Sequence, residues 1–357
     1  MNARGLLAAF VAVATAISVP AAAISQGFAG LGSTAEGFAV PRPGIQLSFP
    51  QDHGPHPEFR IEWWYITANL ESEDRTQYGV QWTLFRAALA PKTEGGWSDP
   101  QVWLGHAAIT AKDRHLLAEK RARGGVGQAG VEAIPFLAWI DDWEMKGLSK
   151  PGADQLDKLS LHATGKDFAY RLELSASGPL VLQGDQGYSV KSAEGQASYY
   201  YSQPFYEVSG SLDIGGKTVR VSGKAWLDRE WSSQPLAKDQ TGWEWFSLHL
   251  DSGEKLMAFR LRDSRGGYTS ANWISRDGKP APVPPGSLQI TPLRTAHVGE
   301  RDVPVAWRVR IAERGFDVTT SPLNDKAWMA TTTPYWEGPI SFKGSAAGYG
   351  YLEMTGY

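Results

Sequence analysis

Four short segments of the chain return later in the same order, and that order restricts the fold more than any single motif does. Trp63-Trp64-Tyr65-Ile66-Thr67 is echoed by Trp243-Glu244-Trp245-Phe246-Ser247. Ala169-Tyr170-Arg171-Leu172 is echoed by Ala306-Trp307-Arg308-Val309, with Gly178 and Gly315 following at the same distance. Pro204-Phe205-Tyr206-Glu207 returns as Pro334-Tyr335-Trp336-Glu337, and Val219-Arg220-Val221-Ser222-Gly223 as Leu352-Glu353-Met354-Thr355-Gly356. The separation between copies falls from 180 residues at the first pair to about 130 at the last, so the first copy carries an insertion, expected within Ala87–Leu159. Two related domains are therefore expected, at 45–231 and 242–357, joined by the polar linker 232–241 with Pro235 and Lys238-Asp239. Residues 24–44, rich in Gly, Ala, Ser and Pro and without periodicity, read as a leading linker.

Almost nothing in either copy has a helical period. Ile61–Leu70, Gly79–Arg86, Thr218–Val221 and Lys255–Arg262 are short, aromatic or β-branched, and Gly215-Gly216, Asp251-Ser252-Gly253 and Asp277-Gly278 punctuate them. The predicted class is all-β, two tandem barrels. The 15 Trp, 13 Tyr and 13 Phe agree with it, since these residues suit strands and the walls of apolar pockets. A formal charge of −3 gives no reason to expect nucleic acid as a partner.

The N-terminus has the form of an export leader. Arg4 supplies the positive end, Gly5–Val19 is uncharged and apolar, Pro20 interrupts it, and Ala21-Ala22-Ala23 offers a small-residue cleavage site. Cleavage after Ala23 is expected; reading on to Ile24 makes retention as an anchor the alternative. The chain has no cysteine, which removes thiolate chemistry and disulfides and suits a large exported protein of a bacterial periplasm.

Several familiar devices are missing. There is no Gly-x-Ser-x-Gly elbow and no Walker loop. Gly125-Val126-Gly127-Gln128-Ala129-Gly130 matches a dinucleotide fingerprint letter for letter, but it follows the basic run Lys120–Arg123 and opens no helix. No cofactor is expected.

Five segments together resemble one family: Asp52-His53-Gly54-x-His56, Glu62-Trp63-Trp64-Tyr65, Trp226-Leu227-Asp228-Arg229-Glu230-Trp231, Gly242-Trp243-Glu244-Trp245-Phe246, and Tyr335-Trp336-Glu337-Gly338 with the closing Gly350–Tyr357. These are similar to the carotenoid 1,2-hydratase (hydroxyneurosporene synthase) and AttH family, over about Ser48 to Tyr357. The resemblance implies two consecutive lipocalin-like (calycin) barrels. It implies a superfamily of isoprenoid hydratases, fungal cyclases and exported bacterial members called predicted hydrolases, and the leader places this chain nearest the last. Fold carries over on such grounds more safely than reaction does.

The strongest chemical candidate is Trp226-x-Asp228-x-Glu230. On a strand these three side chains share one face, with Leu227, Arg229 and Trp231 on the other. Two buried carboxylates side by side would keep one protonated at neutral pH, beside an aromatic face that steadies a cation. The family resemblance assigns the proton-donor place to Asp228 and the aromatic place to Trp226. The alternative is a solvated junction in which Arg229 pairs with the acids. Glu62 reads as an acid or base near the pocket, or as a structural partner of Arg60 or Arg86; Trp64 and Tyr65 line the pocket or fill the barrel. Glu244 sits in a shifted place in the second copy, so one site per chain is expected, with Asp228, Glu230, Glu244 and Trp243 meeting at the domain junction. His53-x-x-His56 lacks a visible third ligand, so no metal is expected, and His53 is a pocket wall or a turn residue. His106 reads as a histidine of the barrel interior. Glu207 and Glu337, which recur with the repeat, read as architectural.

These features leave three functions open: a cofactor-free hydratase, isomerase or hydrolase on a large apolar molecule; a lipid carrier of the periplasm serving an ABC transporter; and an envelope or attachment factor.

Overall fold

The computed structural model describes residues 31, 33, 35–91, 95–150 and 152–357; the segment expected to be an export leader, residues 1–23, lies outside them. The first half forms β1 (Ile61–Ser72), β2 (Gln77–Ala88), β3 (Gln101–Ala111), β4 (His115–Arg123), β5 (Ala129–Ala133), β6 (Phe136–Ile140), β7 (Trp143–Gly147), β8 (Lys158–Thr164), β9 (Phe168–Ala176), β10 (Val181–Leu182), β11 (Tyr188–Val190), β12 (Ala197–Ile214) and β13 (Lys217–Ser232). The second half forms β14 (Gly242–Leu250), β15 (Lys255–Arg262), β16 (Tyr268–Ile274), β17 (Pro280–Pro282), β18 (Leu288–Val298), β19 (Arg301–Ile311), β20 (Phe316–Pro322), β21 (Trp328–Met329), β22 (Tyr335–Gly344) and β23 (Gly348–Thr355). The protein is all-β, as the sequence predicts, with one nearly closed barrel and one half-barrel.

The two sheets have the same plan. The first runs β4-β3-β2-β1-β13-β12-β9-β8-β7-β6-β5 and the second β17-β16-β15-β14-β23-β22-β20-β19-β18. Each is antiparallel, and in each the last strand of the copy returns to pair with the first, β13 on β1 and β23 on β14. The first sheet has two more strands at one end, β6 and β5.

The repeat is real as an order of strands, but its residue pairs are out of register. Glu62 lies opposite Arg86 and Trp231, and Glu244 lies opposite Arg260 and Met354. Glu62 and Glu244 therefore occupy the same place, contrary to the expectation that Glu244 is shifted. The expected alignment slips by one pleat, a slip that keeps every side chain on its face and so is hard to detect from pattern. Pro204–Glu207 and Tyr335–Glu337 do fall on equivalent strands, β12 and β22, with Pro334 just before β22. Yet Glu337 pairs with Glu353 as Tyr200 pairs with Glu230, so Glu337 corresponds to Tyr200 and not to Glu207. Val219–Gly223 begins β13 whereas Leu352–Gly356 ends β23 and runs past it. Ala169–Leu172 lies on β9, whose counterpart is β20, while Ala306–Val309 lies on β19.

Alternation decides which strands position a site. In β9, Phe168, Tyr170, Leu172 and Leu174 point into the first core while Arg171 and Glu173 meet water. Strands β1, β12, β13, β14, β22 and β23 are instead largely buried on both faces. One face of β1 sends Trp64, Ile66, Ala68 and Leu70 into the first barrel. The other sends Tyr65 into a separate cluster with Tyr200, Trp226, Trp245 and Tyr351, contributed by both sheets. The two sheets thus press outer face to outer face along a seam. Gly79 of β2 sits at a tight point of it: a Cβ there would stand 2.5 Å from the Tyr351 hydroxyl and 2.6 Å from Pro339. Pro204, which cannot donate to the ladder, coincides with a bulge in β12 between Gln203 and Tyr206.

The segments expected to be linkers are packed. Ala39 donates its amide to Glu58 and Arg42 donates its own to the Tyr199 hydroxyl, which lays the leading segment along the first barrel. Leu236 and Ala237 of the joining segment are buried, and Gln240 donates to the Lys191 carbonyl.

Candidate functional site

Strand alternation carries Trp226, Asp228 and Glu230 of β13 to the seam and turns Leu227 and Trp231 into the first core. All are buried. Asp228 accepts from Trp226 Nε1 at 2.7 Å, Ser202 Oγ at 2.5 Å and Tyr200 Oη at 2.7 Å. Burial alone drives a carboxyl pKa up by several units, and hydrogen bonds to the charged form pull it back. Here burial wins, since no cation among the described residues pairs with Asp228, and the group is raised to about 7. Trp245 Nε1 in turn donates to Tyr200 Oη at 3.2 Å, tying the second sheet to this cluster.

Glu230 is not equivalent to its neighbour. Lys191 Nζ stands 2.8 Å from its carboxylate and Ser198 Oγ donates to it at 2.5 Å. It is an ion-pair partner and not a proton donor. Arg229, the predicted partner of these acids, points the other way.

Two acids that sequence reasoning leaves out of the site complete the cluster. Glu353 of β23 accepts from Trp243 Nε1 at 2.5 Å. Burial, with the charges of Asp228 and Glu230 nearby, raises it to about 7. Glu337 of β22 accepts from Tyr65 Oη at 2.5 Å, and burial beside Glu353 raises it well above the carboxylate range. Glu337 is therefore a seam acid and not merely architectural, whereas Glu207 is exposed and pairs with Lys224. A signal for Glu353 is present in the sequence: Tyr351 and Glu353 alternate with Leu352 and Met354 as Trp226 and Asp228 do with Leu227. Glu337 carries the same signal, since Tyr335 and Glu337 alternate with Trp336.

The structure separates the other predicted residues from this cluster. Glu62 is clamped by Arg86 and Arg229 and accepts the His56 amide at 2.9 Å. Burial works against its charge, but the two guanidinium groups, Arg229 foremost, hold its carboxyl far below the usual range. It stays ionised, which removes it as a catalytic acid. Trp64 lies inside the first barrel, donating to the His53 carbonyl at 2.9 Å, with the Arg229 guanidinium 3.8 Å above its ring. His53 meets Tyr201 Oη at 2.8 Å and Asp154 at 3.1 Å, while His56 meets Asp52 and Glu62; the two histidines diverge. Glu244 repeats the Glu62 device, bound by Arg260 at 2.7 Å, Arg262 and the Tyr357 hydroxyl, so it does not join Asp228. His106 faces the second domain, not the barrel interior, and meets Tyr335 Oη at 2.9 Å. Tyr65 and Trp243 do lie at the seam, both on the acids.

A cleft of about 320 Å³ opens between the sheets, walled in part by Phe205, His249, Leu250, Lys255 and Tyr349. His249, on the cleft wall, packs against Trp226 with ring centroids 5.8 Å apart, and Trp226 in turn is hydrogen-bonded to Asp228. Burial pushes His249 down to about 3, which keeps it neutral.

Two barrel-like sheets joined along a buried seam of acids and tyrosines make up a tandem lipocalin-like fold. The AttH-like profile matches residues 40–357, and the chain belongs to that family. A protein of Nitrosomonas europaea assigned to AttH is 34% identical, with a TM-score of 0.79, over 90% of this chain and all of that one. Kievitone hydratase of Nectria haematococca is 17% identical with a TM-score of 0.67, covering 90% of this chain and 96% of its own. CghA, solved with Sch210972, is 12% identical with a TM-score of 0.54, covering 90% of this chain and 97% of its own. These last two share the fold. No curated protein matches the chain at a significant level.

Proposed function

We propose that this protein is a cofactor-free hydratase-type enzyme that acts on a large apolar small molecule, isoprenoid or lipid-like, with Asp228 as the proton donor. The observation that supports the reading is a buried carboxyl with no cation paired to it among the described residues, neutral up to about pH 7 and set between Trp226 and Tyr200. Hydration of an alkene needs such a group. The Asp228 proton forms a C–H bond as the π bond breaks. Cationic charge on the neighbouring carbon meets the faces of Trp226 and Trp245. Water then adds to that carbon and returns a proton to the Asp228 carboxylate, leaving an alcohol. The seam cleft offers entry, with Trp226 as the gate. Kievitone hydratase, of the same fold, is a hydratase by name.

The reading includes export through the leader, with cleavage after Ala23 and a working place in the periplasm, where an ABC transporter would supply or remove the apolar molecule. Intact mass of periplasmic protein checks the cleavage. The enzymatic claim is tested by identifying the copurified apolar ligand by mass spectrometry and incubating it with the protein. Wild type should add the mass of one water, and Asp228→Asn should lose about 10²-fold or more of that rate while keeping its fold. A ligand that binds and is returned unchanged by wild type would leave the carrier reading in its place.

A further inference from the structure

The cleft between the sheets gathers hydrogen-bond donors that lack an acceptor. We propose that it binds the acidic end of an amphiphilic small molecule, a carboxylate held by Lys255 and His249, with the apolar body of that molecule lying along the seam toward Asp228. This rests on the apolar-ligand reading above and adds the end group.

Three neighbouring strands build the polar end. Register places Lys255 of β15 and Tyr349 of β23 directly opposite His249 of β14, one on each side, so the three side chains form a row on the seam face. All three line the cleft. His249 is buried, its ring stacked on Tyr349 with centroids 5.4 Å apart, and its Nδ1 has no hydrogen-bond partner. A buried ring nitrogen left unpaired is costly, and a ligand atom that pairs with it recovers the cost.

Lys255 is half-buried. Its ammonium group donates to the Gly253 carbonyl at 2.9 Å and lies 5.1 Å from the centre of the Phe205 ring, which the first sheet contributes. Among the described residues no carboxylate pairs with it: neighbouring Glu254 accepts from the Trp273 indole at 2.8 Å, and Glu207 is taken by Lys224. Asp251, the other acid of the lining, is exposed at the rim. A neutral imidazole can place its one hydrogen on Nδ1, so one oxygen of an entering carboxylate would accept from His249 and the other from Lys255. A cationic end group would face Lys224 and Lys255. A hydroxyl would leave the Lys255 charge unanswered, and a single ammonium suits a carboxylate better than a doubly charged phosphate.

The path of the body follows from β13. Lys224, Trp226 and Asp228 share one face of that strand, at steps of about 7 Å. Lys224 lines the cleft, the Trp226 ring packs on His249, and Asp228 lies one step beyond. A molecule held by its acid at His249 can therefore lay its body along Trp226 toward Asp228. The cleft, at about 320 Å³, is at the small end of ligand sites. It holds the head group and the first part of the body, and the seam must part to admit the rest.

The test is calorimetric titration of the purified full-length protein at neutral pH with decanoate and with farnesoate, each against its own alcohol, decanol or farnesol. At least one acid should bind about tenfold or more tightly than its alcohol. Lys255→Met keeps most of the stem and should bring the acid down to the affinity of the alcohol. His249→Phe keeps a ring and should weaken the acid about threefold or more. Lys343→Met, an exposed lysine of β22, should match wild type. No saturable binding of either acid, equal binding of acid and alcohol in both pairs, or a preference that survives Lys255→Met would overturn the proposal. So would an equal loss in Lys343→Met, which would mark a diffuse effect of charge. Asp228→Asn should keep the preference for the acid while losing hydration. A protein that binds the acids but never adds water defeats only the enzymatic reading, and one that hydrates its copurified ligand without preferring an acid defeats only this one.

Discussion

Glu62 at the end of the first barrel and Glu337 at the seam are the same residue type at the same near-total burial, yet one is held charged and the other neutral. Depth does not explain the difference. Glu62 has two arginines and the His56 amide; Glu337 has two tyrosines and another acid. Each barrel has one such arginine-clamped glutamate, Glu62 and Glu244, at the same place on its first strand. The second halves of the copies diverge instead: Asp228 has no acid counterpart in β23, because Tyr351 occupies the equivalent place opposite Ser247, as Asp228 lies opposite Tyr65. Duplication preserved the clamp, and the seam is where the two copies part company.

The comparison breaks first at the clamp. Glu62→Gln would leave Arg86 and Arg229 buried without their carboxylate and should cost about 3–5 kcal/mol in urea unfolding at pH 7. Glu337→Gln, which swaps one neutral group for another, should cost far less. Near equality of the two variants would show that arginine pairing does not set the contrast.

The seam acids should then reveal themselves through pH. Asp228 is raised from about 3.9 unfolded to about 7 folded, so between those values the folded state binds more protons and stability falls as pH rises. Asp228→Asn removes that loss. It should be worth little near pH 4 and up to about 4 kcal/mol above pH 7.5, from roughly 1.4 kcal/mol per pH unit. Thermal unfolding of both proteins at pH 4.5 and 8 reads it, and a pH-independent difference would contradict the neutral-acid assignment. Glu62 works in the opposite sense: its contribution is present above the unfolded carboxylate range and is lost only in strong acid.

Gly79→Ala probes the contact between the sheets. Its methyl group must displace Tyr351 or Pro339, and a cost of about 1–3 kcal/mol is expected, with seam tyrosine spectra altered. At the small end, Glu207→Gln loses only an exposed pair with Lys224 and should stay within about 0.5 kcal/mol of wild type.

Much of this arrangement is legible in the amino-acid sequence. Alternation alone puts Trp226, Asp228 and Glu230 on one face, and the repeat announces two sheets of one plan. Register is not legible, because a two-residue slip leaves every inside and outside assignment intact, as the pairing of Trp63 with Trp243 illustrates. Nor is the fate of each acid. Asp228, Glu62 and Glu244 look alike beside tryptophans; only the strand opposite says whether an arginine answers. For Glu62 that strand supplies Arg86, and for Asp228 it supplies Tyr65 and Ser202.

The position of β23 bears on the order of assembly. It is the last strand of the chain to appear, yet it lies in the middle of its sheet, between β14 and β22, and supplies Tyr351 and Glu353 to the seam. A chain that emerges from its N-terminus onward can complete the first barrel early, since β13 follows directly on β12. The second sheet must wait as two unjoined halves, its apolar faces open, until β23 arrives to knit them. During that interval the nascent chain is at its most vulnerable to aggregation, and a chaperone that shields the β14 and β22 edges would matter more than one that attends to the first barrel.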